Sequence, residues 1–166
     1  MRALYFTNVT IHVLAAMFWL GGMLFLGVIG APVLRAVEPA SLRQKLFQDL
    51  GMRFRTAGWI AIGVLVLTGV GNMYFRGWLA WDGVLASSDF WRSGAGSTLL
   101  AKLVAVTVMV AVSAVHDFAL GPAASRAVAG TPEAMRLRKR AASLARANAL
   151  IGIAIVVVAV RLARGG

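Results

Sequence analysis

The chain has 166 residues, 60% of them hydrophobic, and a mean hydropathy of +0.79; soluble domains are only about half apolar, so it reads as an integral membrane protein with length for four spans and nothing over for a soluble domain. Cysteine is absent, which excludes disulfides, thiolate iron–sulfur clusters, covalent haem attachment through cysteine and thiolate copper sites. The net charge of +11 comes from 17 basic residues against 6 acids; the basic residues sit at the ends of apolar runs, where membrane topology accounts for them, so nucleic acid is not expected as a partner.

In chain order, the first apolar run reads as a span over Leu4–Leu34, with Pro32 near its exit. It is too long for a cleavable signal and should stay in the membrane. Glu38-Pro39-Ala40-Ser41 then reads as a break followed by an N-cap, which predicts a short surface helix over Ser41–Leu50. The second span is Thr56–Phe75, followed by a connection, Arg76–Gly96, in which Trp78, Trp81, Phe90 and Trp91 beside Asp82 and Asp89 suit an interfacial aromatic belt. The third span is Ser97–Leu120. Its connection to the fourth, Ala142–Ala163, holds Gly121-Pro122, then Gly130-Thr131-Pro132-Glu133, then a basic run from Arg136 to Arg140. The fold expected is all-α, a single four-helix membrane bundle over residues 1–166.

Orientation follows the basic residues. The side with the first and third connections holds Arg35, Arg43, Lys45, Arg53, Arg55, Arg126, Arg136, Arg138, Lys139, Arg140 and Arg146, eleven of the seventeen. That side is expected to face the cytoplasm, leaving both termini outside, with membrane lipids as partners of the basic loops.

Polar residues inside the spans recur at helical spacing. His12 aligns with Ala16, Trp19 and Met23; Thr68 with Asn72 and Arg76; Lys102 with Met109, Ser113 and His116. Three helices thus each turn one polar face inward, while the fourth span is almost wholly apolar after Asn148. His12 stands out because an imidazole at membrane depth is either paired or holds a ligand, and imidazole is the commonest protein ligand for haem iron and copper. His116 is the only other histidine. Counting along the spans sets the two roughly 16 Å apart in depth, so they are not expected to share one ion.

Acids are confined to Glu38, Asp49, Asp82, Asp89, Asp117 and Glu133, in loops or at span ends. With no paired intramembrane carboxylates, no HExxH, no GxSxG and no phosphate-binding glycine loop, hydrolytic chemistry is not expected.

His12, six residues, Trp19, Gly21-Gly22 and Phe25, followed by Arg53-Phe54-Arg55, Leu67-Thr68-Gly69 and Leu99-Leu100-Ala101-Lys102-Leu103, resemble the copper resistance protein D family of inner-membrane proteins. The His-x6-Trp spacing and four-span length also resemble the related membrane protoporphyrinogen oxidases, which bind haem b. The oxidase resemblance implies an oxidoreductase or electron-transfer protein acting on a small or porphyrin-like substrate. His12 would be its haem ligand, and Arg76 and Lys102 would pair with the propionates; Trp19 and Asn72, on the same inward stripes as His12 and Arg76, are further candidates for contact with the cofactor. The copper resemblance implies uptake or resistance, with soft sulfur from Met73, Met17, Met23, Met109 and Met52 forming a ladder alongside His12 and His116. Four short helices enclose little, so an oligomer or a redox partner is expected in either case. The haem reading is the main expectation, copper the alternative.

Overall fold

The computed structural model describes residues 1–80, 83–128 and 130–165. Four long helical rods account for most of them: α1 (Arg2–Arg35), α2 (Ala40–Phe75), α4 (Gly94–Arg126) and α5 (Pro132–Ala163), with a short α3 (Ser88–Arg92) between α2 and α4. Each rod is long and apolar enough to cross a membrane. A 36-residue helix such as α2 is ~54 Å long against ~30 Å of hydrocarbon, so the rods project beyond the bilayer.

Two expected breaks are absent. No separate helix covers Ser41–Leu50: α2 begins at Ala40, capped by Pro39 in extended geometry (φ −74, ψ 166), and continues unbroken into the second span. Likewise Gly121-Pro122 lies inside α4 rather than in a connection. The first break is missing because nothing after Leu50 terminates the helix; the second is missing for a reason visible in the turn before the proline, which Pro32 inside α1 shares. A proline ring collides with the carbonyl four residues earlier, and here that carbonyl lies in a widened π-type segment, Leu26–Gly30 before Pro32 and Val115–Leu120 before Pro122. The wider turn absorbs the ring and the helix continues. The basic run Arg136–Arg140 is helical as well, inside α5, whose first turn is closed by the Thr131 hydroxyl accepting from Ala134 N–H at 3.2 Å.

Consecutive rods run antiparallel. Asn8 meets Asn72, His12 meets Thr68, Trp19 meets Gly58 and Gly22 meets Phe54, so that partners descend α2 as α1 is climbed. The bundle therefore has a terminal end, where both chain termini lie, and a basic end, where the α1–α2 and α4–α5 connections lie. Trp19, only 5% exposed, occupies the centre with Ala61, Ile62 and Met109 around it. Two glycines flank the indole: a Cβ on Gly152 would crowd it, 3.2 Å from Trp19 Cζ3 and 2.9 Å from Leu20 Cδ1, whereas one on Gly58 would make ordinary contact, 3.7 Å from Trp19 Cδ1. Small residues at the contact let α1 approach both α2 and α5. Large apolar side chains such as Phe6, Leu14, Phe18, Ile60, Leu67, Leu150 and Val157 are exposed around the outside, as a surface solvated by lipid tails requires.

At the terminal end, the expected aromatic belt is a packed cluster: Phe90 stacks against Trp78 and Trp91 at centroid distances of 5.5 and 5.4 Å, and Trp91 Nε1–H donates to the Leu85 carbonyl. Trp81 and Asp82, also expected in this belt, lie outside the described residues.

Candidate functional site

A polar cluster joins α1 to α2 near the terminal end. The Asn8 amide donates both hydrogens across the interface, to the Thr68 carbonyl and to Asn72 Oδ1, each at 2.9 Å. His12 Nδ1 lies 2.7 Å from the Thr68 hydroxyl oxygen. That hydroxyl has a single hydrogen, and it is committed to the Val64 carbonyl at 2.6 Å, which leaves the oxygen as acceptor toward the ring. With the hydroxyl hydrogen on Val64, His12 donates from Nδ1 and leaves the Nε2 lone pair for a ligand, the tautomer a metal-binding imidazole needs, with Thr68 as its orienting partner and the Leu65 backbone carbonyl a second acceptor near the ring. Gly69 faces the ring, where a Cβ would make ordinary van der Waals contact with His12 Cε1 at 3.6 Å.

Asn8 belongs to this cluster and is not among the residues expected on sequence grounds. Its signal is the spacing: it lies one helical turn before His12 on the same stripe.

The other expected site residues are dispersed. Asn72 is tied to Asn8. Trp19 is sealed in the core between Gly58 and Gly152. The Arg76 guanidinium lies over the Trp78 ring, 5.1 Å from its centroid, in the interfacial cluster. Lys102 is half-buried at the terminal end of α4, within electrostatic range of His12 and Arg76. Met73 is half-buried one residue beyond Asn72. Met109, 5% exposed, packs on Trp19, and Met23 borders the same core. The expected methionine ladder loses two rungs, because Met17 is 66% and Met52 49% exposed. Both fall on outward faces of their helices, away from the stripe that carries His12 or Thr68.

Towards the basic end a second polar group forms around the other histidine. His116 Nδ1 and Asp117 Oδ1 are 2.8 Å apart, Trp59 Nε1–H donates to Asp117 Oδ2 at 2.9 Å, and Arg55 donates to the Asp117 carbonyl at 3.3 Å. Adjacent residues on a regular α-helix point about 100° apart; His116 and Asp117 lie in the π-type segment before Pro122, where the altered turn brings the two side chains together. Here too Nδ1 is the held nitrogen and Nε2 the free one. Deeper in, Asn148 donates to the Ser113 hydroxyl at 2.8 Å, and its Oδ1 is buried without a partner. Thr68 and Trp59, the α2 residues that mark the two groups, are separated by ~14 Å along the helix axis. Among the described residues no three His, Asp or Glu side chains converge on one point.

Residues 48–162, more than half of the chain, match the copper resistance protein D family. The chain belongs to that family. The matched stretch runs from within α2 through α5, so it contains Thr68, Asn72, Arg76, Lys102, Met109 and His116, whereas Asn8, His12 and Trp19 on α1 lie before it. The chain is also similar to an uncharacterized protein of Aquifex aeolicus (strain VF5), 31% identical over 112 residues that make up 67% of this chain and 66% of the relative. The match thus spans just under two thirds of that relative's length. No solved structure matches.

Proposed function

We propose that this membrane protein handles copper, in uptake or resistance, and that His12 offers Nε2 to the ion near the terminal end. Family membership supports copper as the cargo. The observation that carries the role of His12 is the committed Thr68 hydroxyl, which turns Nδ1 into a donor and leaves Nε2 as a ligand. With no cysteine in the chain, the remaining soft donors at depth are Met109 and Met23 beside Trp19, and His116 beyond them. These suit Cu(I), which imidazole and thioether bind without a carboxylate. In this reading Met73, Arg76 and Lys102 border the entrance, and Asn72 and Asn8 hold α1 against α2 behind the ring. Trp19 closes the axis between the two histidines, so a continuous route for the ion is assigned to an assembly with a second copy or a partner subunit. The same reading has the basic end facing the cytoplasm of a bacterial-type cell and both termini outside, supported by the distribution of lysine and arginine.

Haem b and porphyrin oxidation, the main expectation from the sequence, draw no support from the family match, which speaks for copper.

The test is competition for Cu(I) between the purified full-length protein in detergent and a coloured chelator. His12→Ala should weaken binding at least tenfold, and Thr68→Val, which removes only the orienting oxygen, by about tenfold. Unchanged affinity in His12→Ala would remove the proposal. A Soret band in the protein as isolated, lost in His12→Ala, would replace copper by haem.

A further inference from the structure

A separate feature lies on the surface of α5 at the basic end. Arg136, Lys139, Arg140 and Ser143 line a shallow cavity of about 290 Å³. Their spacing of three, four and seven residues puts them on one helical face. All four are exposed, and among the described residues no carboxylate lies within ion-pair distance of the three cations. Glu133, one turn before Arg136 and exposed, is the only acid on α5.

Their height along α5 is equally informative. Beyond Ser143 the helix turns apolar: Arg146 is the last charge before an uninterrupted apolar run from Ala149 to Val160. The hydrocarbon boundary therefore falls near Arg146, and the cavity's residues extend over the following ~10 Å, across the headgroup layer of a bilayer. Three cations and a hydroxyl donor, concave and unpaired at phosphate height, match the phosphodiester of an anionic lipid.

We propose that Arg136, Lys139, Arg140 and Ser143 form a binding site for the headgroup phosphate of an anionic phospholipid. Each arginine offers a planar fork of donors that matches a pair of phosphate oxygens, and Lys139 and Ser143 supply further donors. A soluble anion would meet the same groups, but their height above the apolar run Ala149–Val160 favours a lipid phosphate.

The proposal is tested by native mass spectrometry of the full chain released from detergent micelles that contain phosphatidylglycerol or phosphatidylcholine. The wild type should retain phosphatidylglycerol in preference to phosphatidylcholine, and the Arg136→Gln, Lys139→Gln, Arg140→Gln triple variant should retain about tenfold less. A charge-matched control, Arg43→Gln, Lys45→Gln, Arg53→Gln, should keep wild-type retention. Equal retention by wild type and triple variant overturns the site, and equal loss in the control reduces it to general surface charge. Displacement of the lipid by millimolar inorganic phosphate would reassign the cavity to a free anion. Should the triple variant fail to fold, Arg140→Gln alone decides: a several-fold loss supports the site and wild-type retention overturns it.

Discussion

The two histidines are held by different means. His12 is oriented from another helix: its partner Thr68 is 56 residues away, and the bond exists only while α1 lies against α2. His116 is oriented by its own neighbour, Asp117, through a turn geometry that the following proline imposes. The first arrangement is neutral and tertiary, the second charge-assisted and local. A change in the packing of α1 should therefore disturb the His12 site and spare the His116 pair, which α2 holds only through Trp59 and Arg55, and a change at Asp117 should do the reverse.

Trp19→Ala is the most severe way to break that contrast. Emptying the centre should cost about 3–5 kcal/mol and separate α1 from α2, so Cu(I) binding at His12 should fall together with the midpoint of thermal unfolding followed by circular dichroism. If copper affinity survived the loss of stability, His12 would not depend on packing. Asp117→Ala comes next, at about 2–3 kcal/mol, because it removes a carboxylate that accepts from Trp59 and holds His116. The nitrogen NMR signals of His116 should shift in this variant while those of His12 stay fixed; movement of both would join the two groups into one network.

Thr68→Val should cost only about 1 kcal/mol, yet it should alter the tautomer signature of His12 alone. Met109→Leu keeps the volume and the apolar contact with Trp19, so a change under about 1.5 kcal/mol is expected. It sharpens the role of sulfur: a Cu(I) affinity equal to wild type would confine Met109 to packing, and a clear drop would make it a ligand below His12.

Much of this architecture is visible in the residues themselves. The four spans follow from apolar runs, and the inward stripes through His12, Thr68 and Ser113 follow from helical spacing. Sequence and structure part where local rules meet a longer context. Glu38-Pro39-Ala40-Ser41 has the residues of a break and a cap, but nothing after Leu50 terminates the helix, so α2 runs on. Gly121-Pro122 would end a helix in water; here a π-type turn accommodates the ring and the apolar surroundings favour keeping backbone hydrogen bonds internal. Asn8 escapes notice in the sequence because a single asparagine near a span's start is indistinguishable from an interfacial residue until its partners on α2 are known. Trp19 fits either a cofactor wall or a core by spacing alone; only the structure shows it buried, with Gly58 and Gly152 of two other helices against it.

By itself the sequence determined that the chain is a four-span helical membrane protein, where its basic end lies, and that only two imidazoles stand within it. Those properties depend on composition and on periodicity within one segment, which need no knowledge of neighbours. Which nitrogen of each imidazole is free, which methionines face inward and which cations share a cavity were decided by the tertiary structure. Each is a relation between helices or between successive turns in space, set by how small residues let the rods approach and by which hydroxyl or carboxylate then comes within hydrogen-bonding reach.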